Sequence, residues 1–97
     1  MERITVSHLK RRIALLNDIF GYPQDAWSGE RDSRGGLVAS VGTYVLDRAN
    51  GGYRLCQMCG PNGGERDITP RGTARETYDA INAFIDGADA MRRHMKA

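Results

Sequence analysis

Few residues of this chain have types and spacing that could carry chemistry. Cys56-Gln57-Met58-Cys59 is a Cys-x-x-Cys, the spacing of a redox pair at a helix start or of half a zinc site at a tight turn. It falls instead in a strand candidate, where residues three apart point to opposite faces. No second cysteine pair completes a zinc set, and His8 and His94 lie near the two ends. Packed or half-exposed thiols are the better reading, so neither metal nor cofactor is expected. Asp86 and Asp89 are three apart on a helical stretch and read as solvated charges, not as an acid–base pair. Nucleophile–base pairs and Gly-x-Gly-x-x-Gly or Walker spacings are not evident. An enzyme is therefore not expected.

The segment Arg71-Gly72-Thr73-Ala74-Arg75 is more informative. It opens a helix, and a helix start offers unpaired N–H groups and the positive end of the helix dipole to an anion. Two arginines beside such an end could clamp a phosphate or carboxylate. Thr73 and Glu76 also match a capping box, which would satisfy the same N–H groups internally. Internal capping is the stronger of the two readings, since Glu76 adds negative charge. If the chain takes a ligand or partner, the candidates are Arg71, Thr73 and Arg75. Tyr53 and the turns at Gly51-Gly52 and Gly63-Gly64 are expected beside them.

The elements that would position these residues follow from periodicity. Val6, Leu9, Ile13, Leu16, Ile19 and Phe20 recur at helical steps, and Gly21 and Pro23 end the run, which predicts a helix over about 6–20. Residues 21–36 read as a loop with Trp27 as an anchor on the domain's edge. Leu37 to Leu46 reads as one strand, interrupted at Gly42 by a bulge. Asp47 to Gly52 carries the hairpin signal Asn50-Gly51-Gly52. Tyr53 to Cys59 is a second strand, with Tyr53, Leu55, Gln57 and Cys59 on one face. After a turn at 60–64, Glu65 to Thr69 is a short charged edge strand. Tyr78, Ile81, Phe84, Ile85, Ala88 and Met91 stripe a last helix over about 73–91, with Arg92 to Ala97 fraying. The expected fold is α+β in the order α-β-β-β-α, with both helices on one face of a three-stranded antiparallel sheet.

With 97 residues, 40 % of them apolar, 12 glycines and 3 prolines, the chain suits one domain with a real core. A net charge of +2 lacks the strong basic excess usual for nucleic-acid binders. No apolar run approaches the length of a membrane span, and the N-terminus shows no secretory pattern. Two cysteines then read as reduced thiols in a cytoplasm. Oligomeric state is open, a dimer through the edge strand included.

The pattern Leu16-Asn17 to Gly21-Tyr22-Pro23, Val41-Gly42, Asn50-Gly51-Gly52-Tyr53-Arg54-Leu55, Gly63-Gly64, and Arg71-Gly72-Thr73 with Glu76, Tyr78, Ile81-Asn82-Ala83-Phe84-Ile85 and Gly87 spans most of the chain. It resembles a group of small proteins encoded by tailed phages and prophages. The resemblance implies a non-structural accessory protein acting in a bacterial host's cytoplasm, where such proteins often bind and disable a host factor, defence systems included. It carries over no catalytic residue. A host protein or a small anionic ligand is the expected partner. The helix–sheet–helix order is also similar to that of double-stranded-RNA-binding domains, which makes a nucleic-acid module the alternative. Those domains carry a Lys-rich cluster where this chain has Arg71, Arg75 and Glu76, so nucleic acid is not favoured.

Overall fold

The computed structural model describes residues 3–96. Helix α1 (Val6–Phe20) buries Leu9, Ile13 and Leu16, as its apolar spacing requires. Gly21 closes it at φ +75°, a left-handed conformation that glycine adopts without steric cost. A hairpin of β1 (Trp27–Arg31) and β2 (Leu37–Ala39) follows. Strands β3 (Tyr44–Ala49), β4 (Gly52–Met58) and β5 (Glu65–Asp67) form a separate antiparallel sheet in the order β3-β4-β5. Helix α2 (Ala74–Lys96) ends the described chain. The fold is α+β with the expected layout, enlarged by the extra hairpin.

Both helices lie on one face of the three-stranded sheet, and Leu9, Ile13, Leu16, Tyr44, Leu55, Ile81 and Ile85 make one core between the layers. The helices run parallel. His8 meets Tyr78 edge-on near the start of both, with ring centroids 6.4 Å apart. One turn further on, Arg12 Nε donates to Asn82 Oδ1 at 2.6 Å. Their N-termini therefore share one end of the molecule.

Three expectations need correction. Residues 21–36 are not all loop, because β1 lies within them. Every residue of β1 is exposed, so no apolar alternation marks it. Leu37 to Leu46 is not one strand with a bulge. It breaks at 40–43, where Gly42 takes φ +101° and Tyr22 covers it so closely that a Cβ would stand 2.4 Å from Tyr22 Cε1. The hairpin signal holds: Asn50 and Gly51, at φ 53° and 74°, link Ala49 to Gly52. Its first strand runs on through Asp47 to Ala49. Trp27 lies with its ring against Gly63, where a Cβ would stand 2.6 Å from Cη2, yet it stays 38 % exposed. Helix α2 continues to Lys96 instead of fraying after Met91, with Asp89 paired to Arg92 and Arg93 at helical spacing.

A single side chain ties α1 to the sheet. Asn17 is 1 % exposed. Its Nδ2 donates to the Tyr44 carbonyl at 3.1 Å, and its Oδ1 accepts the Tyr44 N–H at 2.8 Å. The amide thus stands where a neighbouring strand's peptide group would. Asn17→Ala leaves a buried N–H and C=O unpaired. We expect a loss of about 2–3 kcal/mol in urea unfolding, several times that of Gln24→Ala, whose side chain is exposed.

Candidate anion-binding site

The start of α2 is closed by its own residues. Thr73 N–H donates to Glu76 Oε1 at 3.0 Å, and Glu76 N–H donates to Thr73 Oγ1 at 3.1 Å. The bonds from Thr73 hold the Glu76 carboxyl below the usual carboxylate range. This capping box leaves little of the helix end for a ligand.

Arg71 does not point at that end. It folds back over the β3–β4 hairpin, donating to Asp47 Oδ2 at 2.6 Å and to the carbonyls of Ala49 and Gly52 at 3.2 and 3.4 Å. Its stem lies on Gly52, where a Cβ would stand 2.9 Å from Arg71 Cγ. Arg54 holds the same Asp47 oxygen at 2.6 Å and reaches Asp67 at 3.0 Å. Tyr53 and Gly72 exchange backbone bonds of 2.8 and 2.9 Å, and the Tyr53 carbonyl accepts from Thr77 Oγ1 at 3.2 Å. Gly51, Gly52, Tyr53, Arg71 and Thr73 are thereby brought together, as a structural joint. Gly63 and Gly64 are not with them. They lie past the opposite end of β4, Gly63 under Trp27 and Gly64 beside Cys59.

Arg75 points elsewhere, its guanidinium carbon 5.9 Å from the Tyr78 ring centroid. His8 meets the same ring in an edge-on arrangement. His8 Nδ1 accepts the Thr5 N–H at 2.9 Å, so the neutral ring carries its proton on Nε2. Arg11 and Arg12 complete a cavity of about 230 Å³ with His8 and Tyr78, room for several heavy atoms at about 30 Å³ per water-sized group. Arg11 Nε donates weakly to the Ser7 carbonyl at 3.4 Å, and Arg12 is oriented by Asn82. Among the described residues, Arg11 and Arg12 meet no carboxylate within ion-pair distance. Three guanidinium groups, an imidazole and a phenol ring thus gather where the two helices begin. Such a set matches the forked acceptors of phosphate and carboxylate.

Arg75 is the one sequence candidate that joins this cluster. Arg11 and Arg12 belong to a run that reads as a solvated helix face, and Tyr78 to an apolar stripe. Only the parallel packing of the helices brings them together. The second strand stops at Met58, one residue short of the expected Cys59, so Cys56 is buried within β4 while Cys59 lies past its end and is exposed. Burial pushes the Cys56 thiol up, and its Sγ lies 3.8 Å from Asp67 Oδ1. Among the described residues, no three metal-ligating side chains gather. No helix of the described residues is long and apolar enough to cross a membrane.

The sequence matches no family model, and no curated protein or solved structure is significantly similar to it.

The joint has a pH signature. The hydrogen bonds from Arg71, then Arg54, hold the Asp47 carboxyl below its ordinary range. A carboxyl depressed on folding stabilises fully above its unfolded value of about 3.9 and loses that contribution as pH falls toward the folded value. We therefore expect Asp47→Asn to lower the melting temperature at pH 7 by a few degrees, about 1 kcal/mol. The gap between variant and wild type should narrow steadily on acidification below about pH 4.

Proposed function

We propose that this chain is a non-catalytic binding protein that takes an anionic group of its partner at the shared helix-N-terminal end. The observation that carries this reading is the cluster of Arg11, Arg12, Arg75 and His8 around the Tyr78 ring. Side chains of this kind recognise negative charge, with arginine suited to paired oxygen acceptors. The phage resemblance puts the partner in a bacterial host's cytoplasm. It is then a host protein or a small anionic ligand, and binding would disable a host factor such as a defence component. Within the residues named from sequence, Arg75 is the contact. Arg71 and Thr73 shape the end of the molecule behind it.

A nucleic acid is the second reading, favoured by the Tyr78 ring standing beside cations as a base-stacking platform would. The two readings differ in salt response. Contacts to several phosphates release counterions, so affinity for a nucleic acid falls steeply with salt.

The test is calorimetry with inorganic pyrophosphate, a phosphotyrosine peptide and a short RNA duplex, on wild type, Arg75→Ala, Arg11→Ala and Arg71→Ala. Arg75→Ala and Arg11→Ala should each weaken the best of these probes about tenfold, near 1.4 kcal/mol per lost charge-assisted contact. Arg71→Ala should lower the melting temperature and leave affinity within about twofold. Affinity that depends on Arg71 and ignores Arg75 and Arg11 would refute the placement.

A further inference from the structure

A second surface of a different kind runs along β3, away from the helix ends. In an antiparallel pair, alternate residues turn their N–H and C=O toward the partner strand or away from it. Thr43 turns toward β4, its carbonyl accepting the Met58 N–H at 2.9 Å. Tyr44 turns away and is taken by Asn17. By the same alternation Leu46 and Arg48 turn away, along a strand that β4 covers on one side only.

Beside this edge lies a groove of about 510 Å³ between α1 and β3, with Ile13, Ala14 and Leu46 along it and Lys10 at its rim. Its far end is closed by Asn17 and by Gln24, whose Nε2 donates to the Ala14 carbonyl at 3.0 Å. The free stretch thus begins past Tyr44 and runs to Ala49 at the hairpin. An added strand would find outward-turned backbone at Leu46 and Arg48 and a trough for its side chains.

Charge selects the occupant. Among the described residues, Lys10 and Arg48 meet no carboxylate within ion-pair distance. Asp25, also in the groove, accepts the Trp27 N–H at 3.1 Å at the closed end. A second copy would bring only another Arg48 and Lys10 to an edge that already carries that charge, and added like charge there is unfavourable. Carboxylates would match them. We infer that the free edge of β3 docks an extended, acidic segment of a partner protein as an added strand.

The probe is a capped hexapeptide alternating valine with glutamate, followed by backbone amide exchange and titration shifts. We expect slowed exchange at Leu46 and Arg48. Methylating the peptide's amides that face β3 should weaken binding about tenfold, the cost of lost backbone bonds. A lysine-for-glutamate peptide should bind at least as poorly, and Lys10→Glu should reverse the preference between the two. Arg75→Ala should leave this binding unchanged, which separates the edge from the helix-end cluster. The inference is overturned if the methylated peptide binds as well as the parent, or if shifts fall on α2 instead. It is equally overturned if no binding appears at roughly millimolar peptide, or if sedimentation gives a dimer whose Leu46 and Arg48 amides are already protected.

Discussion

The amide of Asn17 bonded to both backbone groups of Tyr44 is the constraint from which the surfaces of this protein follow. A three-stranded sheet with one covered face leaves an edge strand whose polar backbone must be satisfied or exposed. Asn17 satisfies one residue of that edge from a helix and so fixes how α1 lies on β3. With α1 fixed there, the remaining width of the sheet belongs to α2, over β4. The two helices run the same way, so their N-termini meet at one end. A buried, two-way amide bond is also intolerant of sliding. A register shift of one residue would put the Tyr44 ring on the wrong face and strand the amide.

Charge is divided between two jobs at that end. Asp47 gathers Arg54 and Arg71 and seals the hairpin against the segment before α2. That commits Arg54 and Arg71 to the fold's own joint. Arg11, Arg12 and Arg75 sit across the helix pair around Tyr78. The capping box of Thr73 and Glu76 separates the two groups. It spends the helix end on itself, so negative charge from outside would be met by side chains and not by the helix dipole.

Local signals in the sequence found most of the fold. The apolar stripes placed both helices, and Asn50-Gly51 placed the hairpin, because each depends on neighbours within a few positions. Thr73 and Glu76 likewise announce a helix start and do cap it. The β1 strand escaped because Trp27–Arg31 is exposed throughout and carries no alternation. Gly42 was legible as a break, but not as a turn between sheets, because Tyr22 over it is a tertiary contact. The contact of Arg71 with the hairpin escaped for a similar reason. Its partner Asp47 is 24 positions away, and a flanking arginine looks the same in sequence whether it faces a ligand or a hairpin. The cluster of Arg11 and Arg12 with Arg75 joins the two ends of the chain, where no spacing rule operates.

The most direct measurement is a nitrogen–proton correlation spectrum of the wild-type protein titrated with inorganic pyrophosphate, with the arginine Nε–Hε signals resolved. Arg11, Arg12 and Arg75 should move together along one binding curve, with the Tyr78 and His8 amides following and Arg71 and Arg54 still. Movement led by Arg71, or shifts spread evenly over all the arginines, would contradict a site built where the two helices begin.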